Sequence, residues 1–464
     1  MSAKLSEADI LPSARIGVAA QADDEVRRFL DEYPGLESIE YLQADINGMF
    51  RGKWAPASSL EKVFRDGMPL PMSIFGLDVW GREVEETGLH IETGDKDGFC
   101  FPVSGSLKPV TWAQRPTGQV LVSMHNGAKE PFHLDPRHIL AKVVQRYDAL
   151  GLKPVAAFEL EFYLLRSGED NEHQMRVGKR DEPDRQRMYS MSELDALEDV
   201  FGDIRSAALA QGLPIDTIIS EAGPGQFEVN LLHKSDALAA ADDAVLLRRA
   251  IIGVARKHGL RATFMAKPFT DAPGNGMHVH ASIVDKQGRN AFSQTENATQ
   301  NHMSAIAGLL ETMPQALPLF INTFNGFRRL SPGSYAPTRA IWGYDNRSVA
   351  VRVPMSGEKA RRLEHRISGA DANPYLVLAA MLAGMLHGME RKLQAPEPTE
   401  GNAYRSRGSL LTNDLGEAID HFKASGFIAD YLGEDFRRVF TEVKMTELIV
   451  FESRITRLEY DTYL

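Results

Sequence analysis

The sequence predicts an α+β protein of two domains, a small β-rich one followed by a larger one that mixes helices and strands. Three observations predict it. At 464 residues the chain is too long for one small core. From Ile39 to about Gln119 short apolar runs end in Gly, Pro or Asp, which reads as strands and turns. Beyond Pro136 capped helices and further strands occur together. The predicted division is a tail with a short helix over 1–35, a β-rich domain over 36–130 and a catalytic domain over 131–464.

In order, residues 1–21 read as a loose tail and Asp23–Glu32 as an acidic helix stopped by Pro34-Gly35. Strands at Ile39–Ile46 and Met49–Trp54 flank Asn47-Gly48, a two-residue hairpin signal. Asp135-Pro136 places an acidic cap before a proline and opens a helix to Leu150. A strand over Ala156–Tyr163 follows, then a charged loop over Ser167–Arg187. Ser192-Glu-Leu-Asp195 has the form of a capping box for a helix reaching about Gln211. Strands Ile215–Ser220 and Gln226–Leu232 are joined through Gly223-Pro224-Gly225. A helix spans Ser235–His258, with strands at Ala262–Ala266 and Met277–Val284. Helices are expected at Asn301–Glu311 and Pro374–Glu390, and one long amphipathic helix at Glu434–Glu459. No internal repeat or low-complexity tract interrupts this pattern.

Composition narrows the class. The chain is 43% hydrophobic and 25% charged, and 63 acidic against 52 basic residues leave a net charge of −11. That balance argues against a nucleic-acid partner and suits a protein that gathers cations. A single cysteine, Cys100, makes no internal disulfide and fits a reducing compartment. Neither a signal peptide nor an uninterrupted run of 18 apolar residues is present, so the expectation is a cytoplasmic protein without a membrane partner.

The chemistry centres on Ala156–Tyr163. Side chains alternate along a strand, so Glu159 and Glu161 share one face with Leu160 on the other. Two carboxylates that close repel and lose hydration, and one pKa should rise unless a cation lies between them. An edge strand with one wetted face would show the same pattern. Other segments decide between the two. Glu221 and Glu228 flank a glycine-rich turn and are expected to face each other across a hairpin. His278 and His280 share a strand face, although such a pair is more often merely half-exposed. Glu364 stands among bases in Arg361-Arg-Leu-Glu-His-Arg366, a run that is usually a solvated face. Arg329, Arg347 and Arg352 follow one another in a short region. Carboxylate with imidazole suits magnesium or manganese, and arginine suits planar carboxylates and phosphates.

Six motifs then occur in a telling order: Glu-Leu-Glu-Phe (159–162), Gly-Pro-Gly-Gln-Phe-Glu (223–228), Gly-Met-His-Val-His (276–280), Arg-Leu-Ser-Pro-Gly (329–333), Asp-Asn-Arg-Ser (345–348) and Ala-Asn-Pro-Tyr (372–375). Taken together they resemble the glutamine synthetase superfamily from about residue 36 to the end. Phe-Arg-Gly-Lys (50–53), Phe-Met-Ala-Lys-Pro (264–268) and Gly-Ala-Asp-Ala-Asn-Pro-Tyr (369–375) are similar to its γ-glutamylpolyamine branch. The resemblance implies a β-grasp N-terminal domain and a catalytic domain built on a curved antiparallel sheet flanked by helices. It implies ATP and two to three Mg²⁺ or Mn²⁺ ions per site. It also implies a homo-oligomer, a dodecamer of two hexameric rings, with sites shared between neighbours. Carried over by motif, one ion is held by Glu161, Glu221 and Glu228, the other by Glu159, His278 and Glu364. Nucleotide is assigned to Asp216, His280, Ser282, Arg352 and Arg362, and L-glutamate to Gly274, Arg329, Arg347 and Arg366. Arg329, Arg352 and Glu364 act in catalysis, with Asp97 as the base and Tyr335 on the substrate flap.

Departures from the family pattern carry information as well. Ammonium-using members place a glutamate where this chain has Tyr335, and an aspartate turn where it has Ile74-Phe75-Gly76-Leu77. An asparagine of the glutamate loop falls at Pro273, and the setting of Tyr404 does not match the modified tyrosine of regulated members. The leading expectation is an ATP-dependent ligase joining the γ-carboxylate of glutamate to an alkyl amine such as putrescine, through a γ-glutamyl phosphate. The alternatives are an ammonium-dependent glutamine synthetase and a non-enzymatic scaffold or regulator that keeps the fold.

Overall fold

The computed structural model describes residues 24–166, 188–293 and 296–464, with side chains from 299 onward in the last of these. The tail over 1–21 and the charged loop over Ser167–Arg187 lie outside the described residues. Two compact units are present. Of the described residues, the smaller contains 24–43, Phe50–Met72 and Asp97–Phe132. The larger contains Ala44–Met49, Ser73–Lys96 and the rest of the chain from His133.

In the smaller unit, helix α1 (24–32) precedes β1 (Ser38–Ala44) and β2 (Phe50–Pro56). Helix α2 (Leu60–Asp66), β3 (Met68–Pro71), β4 (Asp97–Pro102), β5 (Lys108–Pro109) and β6 (Thr117–His125) follow. The strand order is β2-β1-β6-β4-β3, with β5 on β6. β1 and β6 run parallel, pairing Ser38 with Thr117 through Leu42 with Leu121. First and last long strands side by side, with a helix crossing between, make a β-grasp. The turn after β1 is longer than Asn47-Gly48 predicts. Asp45 closes it: its Oδ1 accepts the N–H groups of Asn47 and Met49, both at 2.9 Å. Gly48 supplies the left-handed residue at φ 74°.

The larger unit begins with α3 (Pro136–Ala149), whose Asp135 side chain accepts the Arg137 N–H as expected of an N-cap. It continues through β7 (Leu152–Arg166), α4 (Met191–Asp195), α5 (Glu198–Gln211), β8 (Ile215–Ser220), β9 (Gln226–Leu231), α6 (Ala237–Lys257), β10 (Leu260–Thr263), β11 (Met277–Asp285) and α7 (Glu296–Phe320). Then come β12 (Arg339–Ala340), β13 (Trp342–Tyr344), β14 (Val351–Val353), β15 (Leu363–His365), α8 (Pro374–Arg391) and β16 (Ser409–Leu410). The chain finishes with α9 (Leu415–Lys423), α10 (Gly426–Tyr431), α11 (Glu434–Glu452) and α12 (Arg457–Tyr463). Eight strands form one sheet, ordered β13-β14-β15-β11-β7-β9-β8 with β10 on β7. β7 is therefore central, with β11 on one side and β9 on the other, which removes the edge-strand reading.

Period-two alternation along β7 separates core from site. Ala156, Phe158, Leu160, Phe162 and Leu164 are fully buried on one face, and Glu159 and Glu161 occupy the other. Each of the large side chains contributes about 1.5–3 kcal/mol by burial. Phe227 of β9 extends this layer, with Phe201 of α5 packed edge-on against it at 4.9 Å. Helices α3 and α6 pack on β7, and α8 packs on α3, α6 and α7.

Several local signals were outweighed by tertiary packing. The expected capping box at Ser192 does not cap: that residue lies inside the short α4, and α5 starts separately at Glu198. Helix α7 runs on through Pro314 and Pro318 to Phe320, well past Glu311. It crosses α8 so closely that a Cβ on Gly388 would lie 1.9 Å from Ser304 O, and one on Gly308 2.2 Å from Gly384 O. Packing against α8 sustains the helix despite the two hydrogen bonds its prolines forgo. The predicted C-terminal helix is two helices, because Thr456 and Glu459 form a capping box that starts α12 afresh. No helix among the described residues is long and apolar enough to cross a membrane.

Candidate functional site

Register, more than spacing, assembles the site. Antiparallel pairing sets His278 of β11 opposite Glu159, Glu161 opposite Glu228 of β9, and His280 opposite Glu364 of β15. Arg352 of β14 lies opposite Glu364 in turn. Directly opposed residues project from the same face, so four strands deliver one row of carboxylates and imidazoles. Glu159, His278 and Glu364 offer ligand atoms within 4.8 Å of one another, as do Glu161, Glu228 and His278.

Glu221 stands differently from its expected place. Its own N–H bonds to Gln226 O, while Glu228 is paired with Ile219, so the two glutamates are diagonal rather than facing. Glu221 is absent from the tight groups but feels the charges of Glu161 and Glu159. Among the described residues, the second group takes His278 in its stead.

The two halves of the row are electrostatically unlike. Around Glu159 and Glu364 charge is balanced. His278 Nδ1 lies 3.1 Å and His280 Nε2 2.8 Å from the Glu159 carboxylate. Arg352 donates to Glu364 at 2.8 Å, and Arg366 bonds its other oxygen. Burial alone would raise both pKa values; the histidines hold Glu159 well below the usual range, and Arg366 leads in bringing Glu364 to about 2. Around Glu161, Glu221 and Glu228 it is not balanced. Burial and then Glu161 push Glu221 to about 7, and burial with three neighbouring carboxylates pushes Glu228 well above the usual range. The rise expected on β7 thus falls on its partners.

Arginines and histidines frame the row. Arg362 Nε donates to His280 Nδ1 at 3.2 Å, which makes Nδ1 the acceptor and leaves Nε2 to donate to Glu159. His233, just after β9, packs edge-on to His280 at 5.8 Å. Burial, then His280 and Arg362, lower its pKa to about 4. Sequence reasoning passed over His233; its position five residues after Glu228 is the available signal. It also passed over Asp345, which forms an ion pair with Arg352. Ser282 follows His278 and His280 on the same face of β11 and is buried, while Asp216 is exposed on β8. Asp216 still exerts its charge on His233.

Arg329 and Arg366 are buried. Arg329 donates to Ile367 O at 2.9 Å, and a Cβ on Gly274 would lie 2.3 Å from its Cγ, so glycine is needed there for the arginine to pass. Gln226 ties the Gly274 loop to the β8–β9 turn through Gly274 O and Asn275 Oδ1, both at 3.0 Å. Arg347 is separate from these two. It reaches Tyr189 OH at 3.5 Å and lines an open cavity of about 520 Å³ with Tyr344, Asp345, Thr399 and Glu400. Tyr335 is 63% exposed and holds a left-handed φ of 58°, strained for a non-glycine residue. Asp97 belongs to the smaller unit, at the exposed start of β4. Ile74 and Phe75 are already buried in the larger unit, and of that apolar stretch Leu77 keeps partial exposure.

A β-grasp unit and a second unit whose eight-stranded sheet carries a carboxylate–imidazole row define the class, and sequence comparison agrees. The family model for the glutamine synthetase catalytic domain matches residues 133–463, and this chain belongs to that family. Its similarity runs to named members. It is 40% identical over 445 residues to γ-glutamylputrescine synthetase PuuA of Escherichia coli (strain K12), covering 95% of this chain and 94% of the relative. It is 34% identical over 451 residues to glutamate–isopropylamine ligase of a Pseudomonas species, covering 95% and 97%. The solved structure of a GmaS/ADP complex superposes with a TM-score of 0.82 at 26% identity, over 96% of this chain and 99% of that one.

Proposed function

We propose that this chain is an ATP-dependent ligase that joins the γ-carboxylate of L-glutamate to an alkyl amine, with putrescine as the type substrate. The observation that carries it is the row from Glu228 to Glu364, framed by Arg329, Arg352, Arg362 and Arg366, in a chain similar throughout to two glutamate–amine ligases. Such a row neutralises an anion meeting a polyphosphate.

The donor set fits divalent cations of the magnesium or manganese kind. Glu161, Glu221 and Glu228 form an acidic group in which repulsion raises two of the carboxylates, and hard oxygen donors with one imidazole suit such ions. These three would hold one ion, and Glu159, His278 and Glu364 another. Bound there, the ions would supply charge neutralisation for phosphate oxygens. The first group is the tighter site, because the second already has histidines and arginines as counter-ions.

Arg352 and Arg362 would meet nucleotide phosphates, together with Asp216, His280 and Ser282. Gly274, Arg329, Arg347 and Arg366 serve the glutamate. The γ-carboxylate attacks the terminal phosphorus, ADP leaves, and an acyl phosphate remains. A neutral amine then attacks the acyl carbon, phosphate departs, and a base takes the surplus ammonium proton. Asp97 is the candidate base. Alkyl ammonium groups have pKa values near 10.4, so well under ~1% of the amine is neutral at pH 7. Phosphate release that requires ATP, glutamate and an alkyl amine together tests this reading; release independent of any amine contradicts it.

Proton uptake by the acidic group gives a second expectation. The folded-state pKa of Glu221 is raised from 4.5 to about 7, so its contribution to metal-free stability is present below pH 4.5 and lost as pH rises through about 7. A cation must expel that proton. Adding Mg²⁺ or Mn²⁺ at pH 6 should release protons into weakly buffered solution, and the share that comes from Glu221 should fall away above pH 7. No release at pH 6 would show that the ions bind elsewhere.

The working assembly is a ring-shaped homo-oligomer, two stacked hexamers, in which Asp97 of one chain serves the row of its neighbour. Its support is the family resemblance and the fact that, among the described residues, both metal-type groups lie in the larger unit while Asp97 lies in the smaller. Hybrids reassembled from inactive Asp97→Ala and Glu161→Ala subunits should regain activity. A monomer in sedimentation would sink this assembly.

A further inference from the structure

The stretch Gly369-Ala-Asp-Ala-Asn-Pro-Tyr375 stands out in the sequence, and no step of the proposed reaction uses it. Its side chains lead back to Arg329. That arginine ends a single 3-10 turn, Gly326–Arg329, which follows α7. Its guanidinium bonds Ile367 O, and its Nη2 would lie 3.2 Å from a Cβ on Gly276, beside Glu161. A long side chain on one short turn keeps its aim only if the turn itself is held.

Two anchors hold it. Asn325 accepts the Lys267 N–H at 2.8 Å and donates to Lys267 O at 2.9 Å. The Thr323 hydroxyl accepts the Gly326 N–H at 3.1 Å and donates to Asp371 Oδ2 at 3.0 Å. Asp371 thus reaches the first residue of the turn through one hydroxyl. It is fixed in its own right: the Ala266 N–H bonds its carboxylate. Arg248 grips Ala370 O at 3.2 Å and Ala372 O at 3.1 Å, the carbonyls on either side of it. Gly369 leaves room for it, since a Cβ there would lie 2.7 Å from Asp371 Oδ1.

Charge points the same way. Burial opposes the charged form of Arg329, and the anions that offset it are Glu161 first and Asp371 next. In the proposed function Glu161 holds a cation, which leaves Asp371 as the anion available to Arg329.

We infer that Asp371, acting through Thr323, is a positioning residue for Arg329 and so governs how the enzyme engages the carboxylate of glutamate. The inference rests on the glutamate-binding role proposed for Arg329. Asp371 touches no substrate; it keeps the Gly326–Arg329 turn, and with it the guanidinium, aimed at the corner formed by Gly276 and Glu161.

The test uses the full-length enzyme and the variants Thr323→Val, Thr323→Ser and Asp371→Asn. Thr323→Val removes the hydroxyl at nearly constant volume, Thr323→Ser keeps it, and Asp371→Asn keeps an acceptor but removes the charge. Thr323→Val and Asp371→Asn should lower kcat/KM for glutamate on the order of 10- to 100-fold, mainly through KM. KM for ATP and for the amine should stay within about twofold, and Thr323→Ser should match wild type. The rise in Tm produced by glutamate should shrink in parallel, a readout that needs no turnover. Should Asp371→Asn fail to fold, the valine–serine pair carries the comparison. A valine variant equal to the serine variant overturns the inference, as does one that raises all three KM values alike. A wild type that neither consumes nor is stabilised by glutamate overturns the functional reading, and with it the role given to Arg329.

Discussion

Replacing Glu161 or Glu228 with alanine should abolish glutamate- and amine-dependent phosphate release, by a factor of at least about 10³, while leaving the chain folded. The two carboxylates are directly opposed across β7 and β9, in a pocket where burial and mutual repulsion already raise Glu228. Removing Glu228 relieves that repulsion in the metal-free protein, so its stability should hold or rise by about 1 kcal/mol, whereas Glu161→Ala also takes the first counter-anion from Arg329. For Glu228 activity and stability therefore move in opposite directions, which distinguishes a ligand from a structural carboxylate. Circular dichroism, thermal melting and phosphate release on the same samples check this. Near wild-type turnover at saturating metal would show that the row is not the metal site.

Glu364 should behave otherwise. It is held by Arg352 and Arg366 in a buried position, so Glu364→Ala strands Arg366, leaves Arg352 with Asp345 alone, and should cost about 3–5 kcal/mol as well as activity. The contrast between Glu228 and Glu364 measures the electrostatic asymmetry of the row.

What the sequence made legible follows from how local each cause is. Asp135 and Pro136 start α3 as predicted because a cap and a fixed φ need only their neighbours. Glu159 and Glu161 share a face because alternation is a property of one strand. By contrast, Pro314 and Pro318 stay helical through contacts with α8, about seventy residues away in sequence, and Ser192 lost its cap to a helix start six residues further on. The candidate site divides the same way. Its ligand types were visible in short motifs, but opposing Glu228 to Glu161 and Glu364 to His280 needs sheet register between distant strands. Only the ordered set of motifs, through family resemblance, anticipated that grouping. His233 carries no motif, Asp345 was visible only as the first residue of Asp-Asn-Arg-Ser, and Phe75, in the stretch that replaces the aspartate turn, is consumed by the core.

The second large effect concerns the nucleophile. Ammonium is recognised by negative charge, and Tyr335 stands where the family resemblance leads one to expect a carboxylate. An alkyl chain instead gains about 0.8 kcal/mol per buried methylene, so four methylenes contribute ~3 kcal/mol, on the order of a hundredfold in affinity. Phe75 is already enclosed, whereas the ring of Tyr335 is exposed and is the surface this expectation assigns to that chain. The kcat/KM should climb from ammonium through short monoamines to a diamine of three to five carbons. It should also rise with pH to about 9 as the neutral amine grows. Tyr335→Glu should narrow the gap by raising ammonium use and lowering diamine use. Ammonium matching the best diamine in the wild type would contradict this, and a preference for aromatic amines would relocate the substrate.

Product analysis tests the central claim most directly. The purified chain is incubated with ATP, Mg²⁺, L-glutamate and putrescine, and the products are followed by mass spectrometry and phosphate release. The account predicts γ-glutamylputrescine formed in equal amount to phosphate, and neither product when glutamate or the amine is left out. Phosphate without the amide, or glutamine formed from ammonium in preference to the amide, would contradict it.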